Sequence, residues 1–190
     1  MTLRTLDRAG LRAVYKTHVK RDFPPSERKP LFVMERLARE GRYVPLGVYE
    51  GEELLAYAFL WHDGAEDYVL LDYLAVVEGR RGRGTGSAVL RLLEEHCRNY
   101  RGILVEAEAL SADADTEENA RRTRRQEFYL RAGFRKLSYQ AKLFGVVYDM
   151  FSSGEADTQA AAAAHRRLYA GGGHPRPGRF VEIPYSPAKS

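Results

Sequence analysis

The residues best suited to chemistry form a glycine- and arginine-rich turn. Gly82, Gly84 and Gly86 alternate with Arg81, Arg83, Thr85 and Ser87. Glycines at such spacing let a backbone fold tightly or let a ligand approach its amides. An apolar run, Tyr68–Val77, leads into the turn, and an amphipathic helix over about Ser87–Tyr100 leads out. A helix that begins here offers free N–H groups and the positive end of its dipole, which together attract an anion. Arg80, Arg81 and Arg83 add positive charge at the same place. The pyrophosphate of a nucleotide-containing cofactor suits this chemistry.

Two common nucleotide folds are disfavoured by the spacing. A P-loop ends in Gly-Lys-Ser/Thr, which is missing here. A dinucleotide fingerprint needs G-x-G-x-x-G, but the third position falls on Ser87 or Val89. Glu106 does stand about twenty residues on, where a ribose-binding acid would sit. A charged elbow, Glu78–Arg81, nevertheless separates the strand from the glycines.

The pattern present is R-x-x-G-x-G, read as Arg81-Gly82-Arg83-Gly84-Thr85-Gly86 and preceded by Tyr73-Leu74-Ala75-Val76. A second block, Phe128-Tyr129-Leu130-Arg131-Ala132-Gly133-Phe134, follows at the expected separation. Together they resemble the GNAT superfamily of acyl-CoA-dependent N-acyltransferases, over about Leu3 to Ser152. The resemblance implies a mixed, mostly antiparallel α/β (α+β) sheet, with a parallel strand pair at the cofactor cleft and helices on both faces. It implies acetyl-CoA as co-substrate and no metal. It also implies that the Leu74 amide meets the thioester oxygen and that the main chain of Ala75 and Val76 pairs with the pantetheine arm. The segment Arg81, Gly82, Arg83, Gly84, Thr85, Gly86 and Ser87 would hold the pyrophosphate. Tyr129 matches the family tyrosine that faces the cofactor sulfur. One departure stands out: many members carry asparagine seven residues before that tyrosine, where this chain has Arg122. Its nearest asparagine is Asn119. An arginine there would reach a phosphate or face water.

Attack of an amine on a thioester sets further requirements. An alkylamine with pKa near 10.4 is almost wholly protonated at neutral pH, and freeing its lone pair costs roughly 4–5 kcal/mol. The reaction therefore needs a proton acceptor, an oxyanion stabiliser and a donor for the leaving thiolate. Tyr129 suits the donor role, because a phenol can protonate a thiolate of lower basicity. Phe128 better fits a purely structural buried aromatic. Asp72 is the first candidate acceptor: it is the one charge in the apolar run, where a carboxylate is costly unless paired or opening onto water. By strand alternation it shares a face with Leu70 and Leu74. Glu106 is its rival and shares a face with Glu108. The structural alternative for Asp72 is an ion pair with a neighbouring arginine.

These residues must be positioned by a regular frame. The sequence predicts a strand at Leu3–Arg8, helices at Gly10–Lys20 and Ser26–Glu40 (the latter regular only from about Pro30), and an antiparallel pair, Tyr43–Tyr49 and Glu53–His62. The strand Ile103–Leu110 follows the cofactor helix in a right-handed parallel crossover. A helix over Glu117–Ala132, capped by Asp115 or Thr116, and a hairpin of Phe134–Leu143 with Val146–Phe151 complete a domain over 1–152. Residues 153–190 read as an accessory helix, Glu155–Ala170, and an arm with a strand near Phe180–Ile183.

The chain has 190 residues, 44% of them hydrophobic, and a net charge of +4. Its basic residues are interleaved with 26 acidic ones, which argues against nucleic acid. No apolar run approaches the roughly 20 residues that cross a bilayer. The first residues lack the apolar core of a signal peptide, so a cytoplasmic location is expected, and the resemblance is to bacterial-style members of the family. The single cysteine, Cys97, is expected to pack beside Val89, Leu90 and Leu93. The five histidines show no metal-ligand spacing. Tyr15, Phe23, Phe32, Tyr139 and Tyr148 are candidate walls for the acceptor. The acceptor itself is a small-molecule or peptide amine, with a homodimer left open. The alternative is a non-catalytic acyl-CoA-binding sensor or interaction module.

Overall fold

A computed structural model describes residues 1–65, 67–82, 84–171 and 180–186. Eight described strands hydrogen-bond in the order β1-β2-β3-β4-β5-β7-β6-β8. They are β1 (Thr2–Thr5), β2 (Tyr43–Glu50), β3 (Glu53–Trp61), β4 (Tyr68–Val76), β5 (Gly102–Glu108), β6 (Arg135–Leu143), β7 (Val146–Ser152) and β8 (Val181–Tyr185). Pairing is antiparallel for β1–β2, β2–β3, β5–β7, β6–β7 and β6–β8. β4 and β5 run parallel, with Tyr68–Leu70 opposite Gly102–Leu104. This is the expected mixed sheet with one parallel pair.

The chain divides into two compact units, and β4 contributes to both. The first comprises Met1–Gly64 and Leu71–His96. Its helices are α1 (Arg8–Val14), α2 (Lys20–Asp22), α3 (Leu31–Arg39) and α4 (Thr85–His96). Asp7 caps α1 by accepting from the Gly10 amide at 2.7 Å. A π-helical turn, Tyr15–Val19, joins α1 to α2, a detail that apolar periodicity does not reveal. Pro25–Glu27 forms a 3-10 turn, and α3 starts only after Pro30, whose ring has no N–H to give a preceding turn. Leu11, Val19, Met34, Leu37, Val48, Phe59, Trp61, Leu90 and Leu93 are buried in this unit.

The second unit comprises Ala65–Leu70 and Cys97–Ser190. Its helices are α5 (Thr116–Arg131) and α6 (Thr158–Ala170). Asp115 caps α5 through the Glu118 amide at 2.7 Å. Asp157 caps α6 through the amides of Gln159 and Ala160, so that helix begins three residues later than its composition suggests. Val105 pairs with Phe151 and Glu106 with Met150. Adjacent strand residues face opposite ways. Tyr129 of α5 packs against Phe151, and His165 of α6 meets Glu106, so the two helices cover opposite faces of this unit's strands. The described residues after Ser152 thus join the fold, with β8 extending the sheet beside β6. Cys97 is buried, and burial pushes its thiol up to about 12. Among the described residues, no helix is long and apolar enough to cross a membrane.

Candidate functional site

The turn after β4 is built from backbone demands. Val77 receives a hydrogen bond from the Arg80 amide, and Arg80 accepts one from the Thr85 hydroxyl at 3.1 Å. Gly82 and Gly84 have φ of +78° and +76°, the left-handed region that disfavours any Cβ. Nothing stands within 4 Å of where either Cβ would be. Glycine is therefore required by conformation, and the outer side of the turn is open. The Ala88 amide donates to Gly84, starting α4, whose first turn contains Thr85, Gly86 and Ser87. Arg83 lies outside the described residues.

The neighbouring arginines are already partnered within this unit. Arg80 pairs with Glu53. Arg81 donates to the Val76 carbonyl and to Asp22, each at 3.2 Å. Asp22 also accepts from Arg21 and from the Tyr57 hydroxyl, and its side chain is almost wholly buried. Arg81 thus ties the turn to the end of α2. Leu74, Ala75 and Val76 are half-buried at the end of β4.

Asp72 has an internal cation. Its Oδ2 accepts from Lys29 Nζ at 2.7 Å and from the Tyr43 hydroxyl at 2.6 Å. The two charged side chains are only 12% and 10% exposed. The Lys29 ammonium also lies 3.8 Å from the centroid of the Trp61 ring, a cation–π contact. Burial, and then the Asp72 charge, hold the Tyr43 phenol well above its usual range. The adjacent Tyr73 fastens the same segment, accepting from the Lys29 amide and donating to the Glu27 carbonyl. The partner of Asp72 is thus a lysine from the segment before α3, not a neighbouring arginine. Tyr15 is buried and Phe32 is exposed, while Phe23 packs edge-on against Tyr73.

In the second unit, Glu106 is held by α6. Its Oε1 receives His165 Nε2 at 2.8 Å and the Tyr169 hydroxyl at 2.9 Å. Glu108 instead faces Arg122 at 3.5 Å. Arg122 donates to the Ala109 carbonyl and to Glu118 and is only 13% exposed. It pins the end of β5 to α5, so neither a phosphate-reaching nor a water-facing role describes it. Asn119 likewise closes its own loop through Ser111 and Ala114. Gln126 bridges the Glu108 carbonyl to Asp149, a buried carboxylate that also takes Gln140 and Lys136.

These contacts fix α5 and so position Tyr129. Its ring sits among Phe128, Phe134 and Phe151. Tyr129 is the buried aromatic of the pair and Phe128 the partly exposed one, the reverse of the expectation from side-chain polarity. Burial raises the Tyr129 phenol above its usual range, against an opposing effect of Arg125. Five pairings have no counterpart in the sequence pattern: Asp22 with Arg81, Lys29 and Tyr43 with Asp72, and His165 and Tyr169 with Glu106. His165 and Tyr169 did leave a signal, two large polar residues four apart on an alanine helix. Among the described residues, no group of three or more metal-ligating side chains comes together.

The family model for GNAT acetyltransferases matches residues 11–134, about two-thirds of the chain. The chain belongs to the GNAT acetyltransferase family. The match contains β4, the glycine turn, Glu106 and Tyr129, and it stops before α6. Solved structures share this fold. A GNAT-family protein from Bacteroides thetaiotaomicron superposes with a TM-score of 0.69 at 19% identity, covering 87% of this chain and 95% of its own. Arabidopsis thaliana NAA60, in complex with acetyl-CoA, gives 0.58 at 17% identity, covering 80% and 96%. The ribosomal-protein-S18-alanine N-acetyltransferase from Escherichia coli gives 0.56 at 17%, covering 80% and 92%. No curated protein sequence matches this one significantly.

Proposed function

We propose that this GNAT chain transfers an acetyl group from acetyl-CoA to a primary amine by direct attack on the thioester. The glycine turn carries the reading. Its two left-handed glycines open onto unobstructed space at the start of a twelve-residue helix, inside the family match. The amides from Gly82 to Ser87 would hold the pyrophosphate, with Arg83 adding charge. Arg81 would serve by fixing the turn to Asp22. Ala75 and Val76 would pair with the pantetheine arm, and the Leu74 amide would take the thioester oxygen.

The incoming ammonium gives up one proton to become nucleophilic, and its nitrogen then bonds the carbonyl carbon as the C–S bond breaks. Of the two candidate carboxylates we take Glu106 as acceptor of that proton. Its partners are a hydroxyl and an imidazole, whereas Asp72 is already neutralised by an ammonium. An ammonium seated on Asp72 occupies the oxygen that an incoming amine would need. Asp72 would then position the Glu27–Lys29 segment. The departing thiolate takes its proton from Tyr129, which recovers one from the amide nitrogen as the product forms. A raised phenol pKa keeps Tyr129 protonated throughout the neutral range. The carboxylate of Glu106 favours a cationic acceptor. The named activities of the Escherichia coli neighbour and of an aminoglycoside 6'-N-acetyltransferase with this fold are consistent with an amine.

Thiol release from acetyl-CoA in the presence of spermidine, kanamycin and an alanine-initiated peptide tests the proposal. Turnover with at least one amine is expected, and Tyr129→Phe is expected to lower kcat about 10–100-fold with acetyl-CoA affinity kept. Tight acetyl-CoA binding without turnover across a broad amine panel would favour a non-catalytic sensor instead.

A further inference from the structure

Glu106, the carboxylate assigned above as proton acceptor, is gripped by residues that the family match does not include. His165 is fully buried, so an imidazole there must satisfy both ring nitrogens internally. Tyr139 of β6 lies 3.3 Å from Nδ1, and Glu106 lies 2.8 Å from Nε2. A tyrosine hydroxyl that donates to Nδ1 leaves the ring proton on Nε2, where it points at the carboxylate. Tyr169, one helical turn further on, gives its hydroxyl to the same oxygen at 2.9 Å. Its ring stacks edge-on against His165 at 5.4 Å. The surrounding helix face is alanine: Ala161, Ala162 and Ala164 are buried. Small neighbours let α6 lie close enough for two large polar side chains to reach β5. The Glu106 side chain keeps 16% exposure, so the carboxylate is oriented without being sealed.

We propose that α6 is a working part of the catalytic centre, with His165 and Tyr169 acting as positioning residues that aim the Glu106 carboxylate at the acceptor amine. The proposal rests on the reading of Glu106 as proton acceptor. Two partners on one carboxylate oxygen fix its rotamer. Among the described residues, Tyr139 faces His165 and Tyr68 of β4 acts on Tyr139; burial and then the Glu106 charge hold the Tyr139 phenol above its usual range. Neither carries a charge near neutral pH that would substitute for the lost donors.

The test uses full-length protein, acetyl-CoA, and the amine among spermidine, kanamycin and an alanine-initiated peptide that wild type turns over fastest. Tyr169→Phe removes one oxygen and is expected to lower kcat about ten-fold, with acetyl-CoA affinity and acceptor KM unchanged. His165→Leu is expected to lower kcat about 100-fold, and His165→Gln, which can still donate to Glu106, should recover most of it. Folded Tyr169→Phe and His165→Leu proteins with wild-type kcat, beside an inactive Glu106→Gln, would reduce α6 to a structural cover and overturn the inference alone. An active Glu106→Gln would instead remove the proton-acceptor reading, and this inference with it.

Discussion

Glu106→Gln is expected to lower kcat for acetyl transfer by about 10²–10⁴-fold. Glutamine keeps the shape and the oxygen that accepts from His165 and Tyr169. It cannot take a proton from an ammonium. The fold should therefore persist, acetyl-CoA should bind as before, and the loss should lie in kcat. Because the acceptor must be deprotonated by other means, raising the pH toward 10 should recover part of the rate, as free amine becomes abundant in solution. Steady-state kinetics from pH 6 to 10 measure both effects. A variant with wild-type kcat would move the proton-accepting role elsewhere, with Asp72 next in line.

Lys29→Met is expected to destabilise the protein by about 3–5 kcal/mol. The substitution leaves Asp72 in a largely buried place with only the Tyr43 hydroxyl, and an uncompensated buried carboxylate costs that much. The double variant Lys29→Met, Asp72→Leu should regain much of the loss, since exchanging a buried pair for apolar groups is often near neutral. It should not regain all, because the buried Tyr43 hydroxyl then loses its acceptor. Urea unfolding midpoints of the two variants and wild type measure this. Equal midpoints for wild type and Lys29→Met would mean that the pair holds the Glu27–Lys29 segment without contributing to stability.

The contrast between these two carboxylates shows where sequence reasoning ends. The apolar run of β4, the glycine turn and α4 are legible because each is local: strand hydrophobicity, left-handed glycines and helix amphipathicity lie within about thirty consecutive residues. Tyr129 was legible for the same reason, as part of a contiguous signature at a helix end. Asp72 stood out as a charge in an apolar strand, which established that it needed a partner. Which partner was not written there. Lys29 lies 43 residues away, and Tyr43 comes from another strand. Glu106 depends on His165 and Tyr169, about sixty residues downstream, on an alanine-rich helix whose two large polar residues, four apart, mark a buried polar face but not the carboxylate it meets. Arg122 shows the opposite failure. A basic residue at the family's asparagine position invited a phosphate, yet β5 and α5 bring Glu108, Glu118 and the Ala109 carbonyl to it first. Partner choice for long polar side chains is set by tertiary proximity, and pattern alone does not carry it.

Titration calorimetry of acetyl-CoA into wild type and Gly84→Val tests the central claim most directly. Wild type is expected to bind at a single site, and acetyl-CoA at about 100 times its Kd should raise unfolding stability by about 2.7 kcal/mol. Valine cannot adopt the +76° φ of this position without strain of about 1–2 kcal/mol, so Gly84→Val should weaken binding about ten-fold or more while retaining the fold. Absence of both binding heat and thermal stabilisation in wild type would contradict the assignment of this turn to the cofactor pyrophosphate, and wild-type affinity in a folded Gly84→Val would place the cofactor elsewhere.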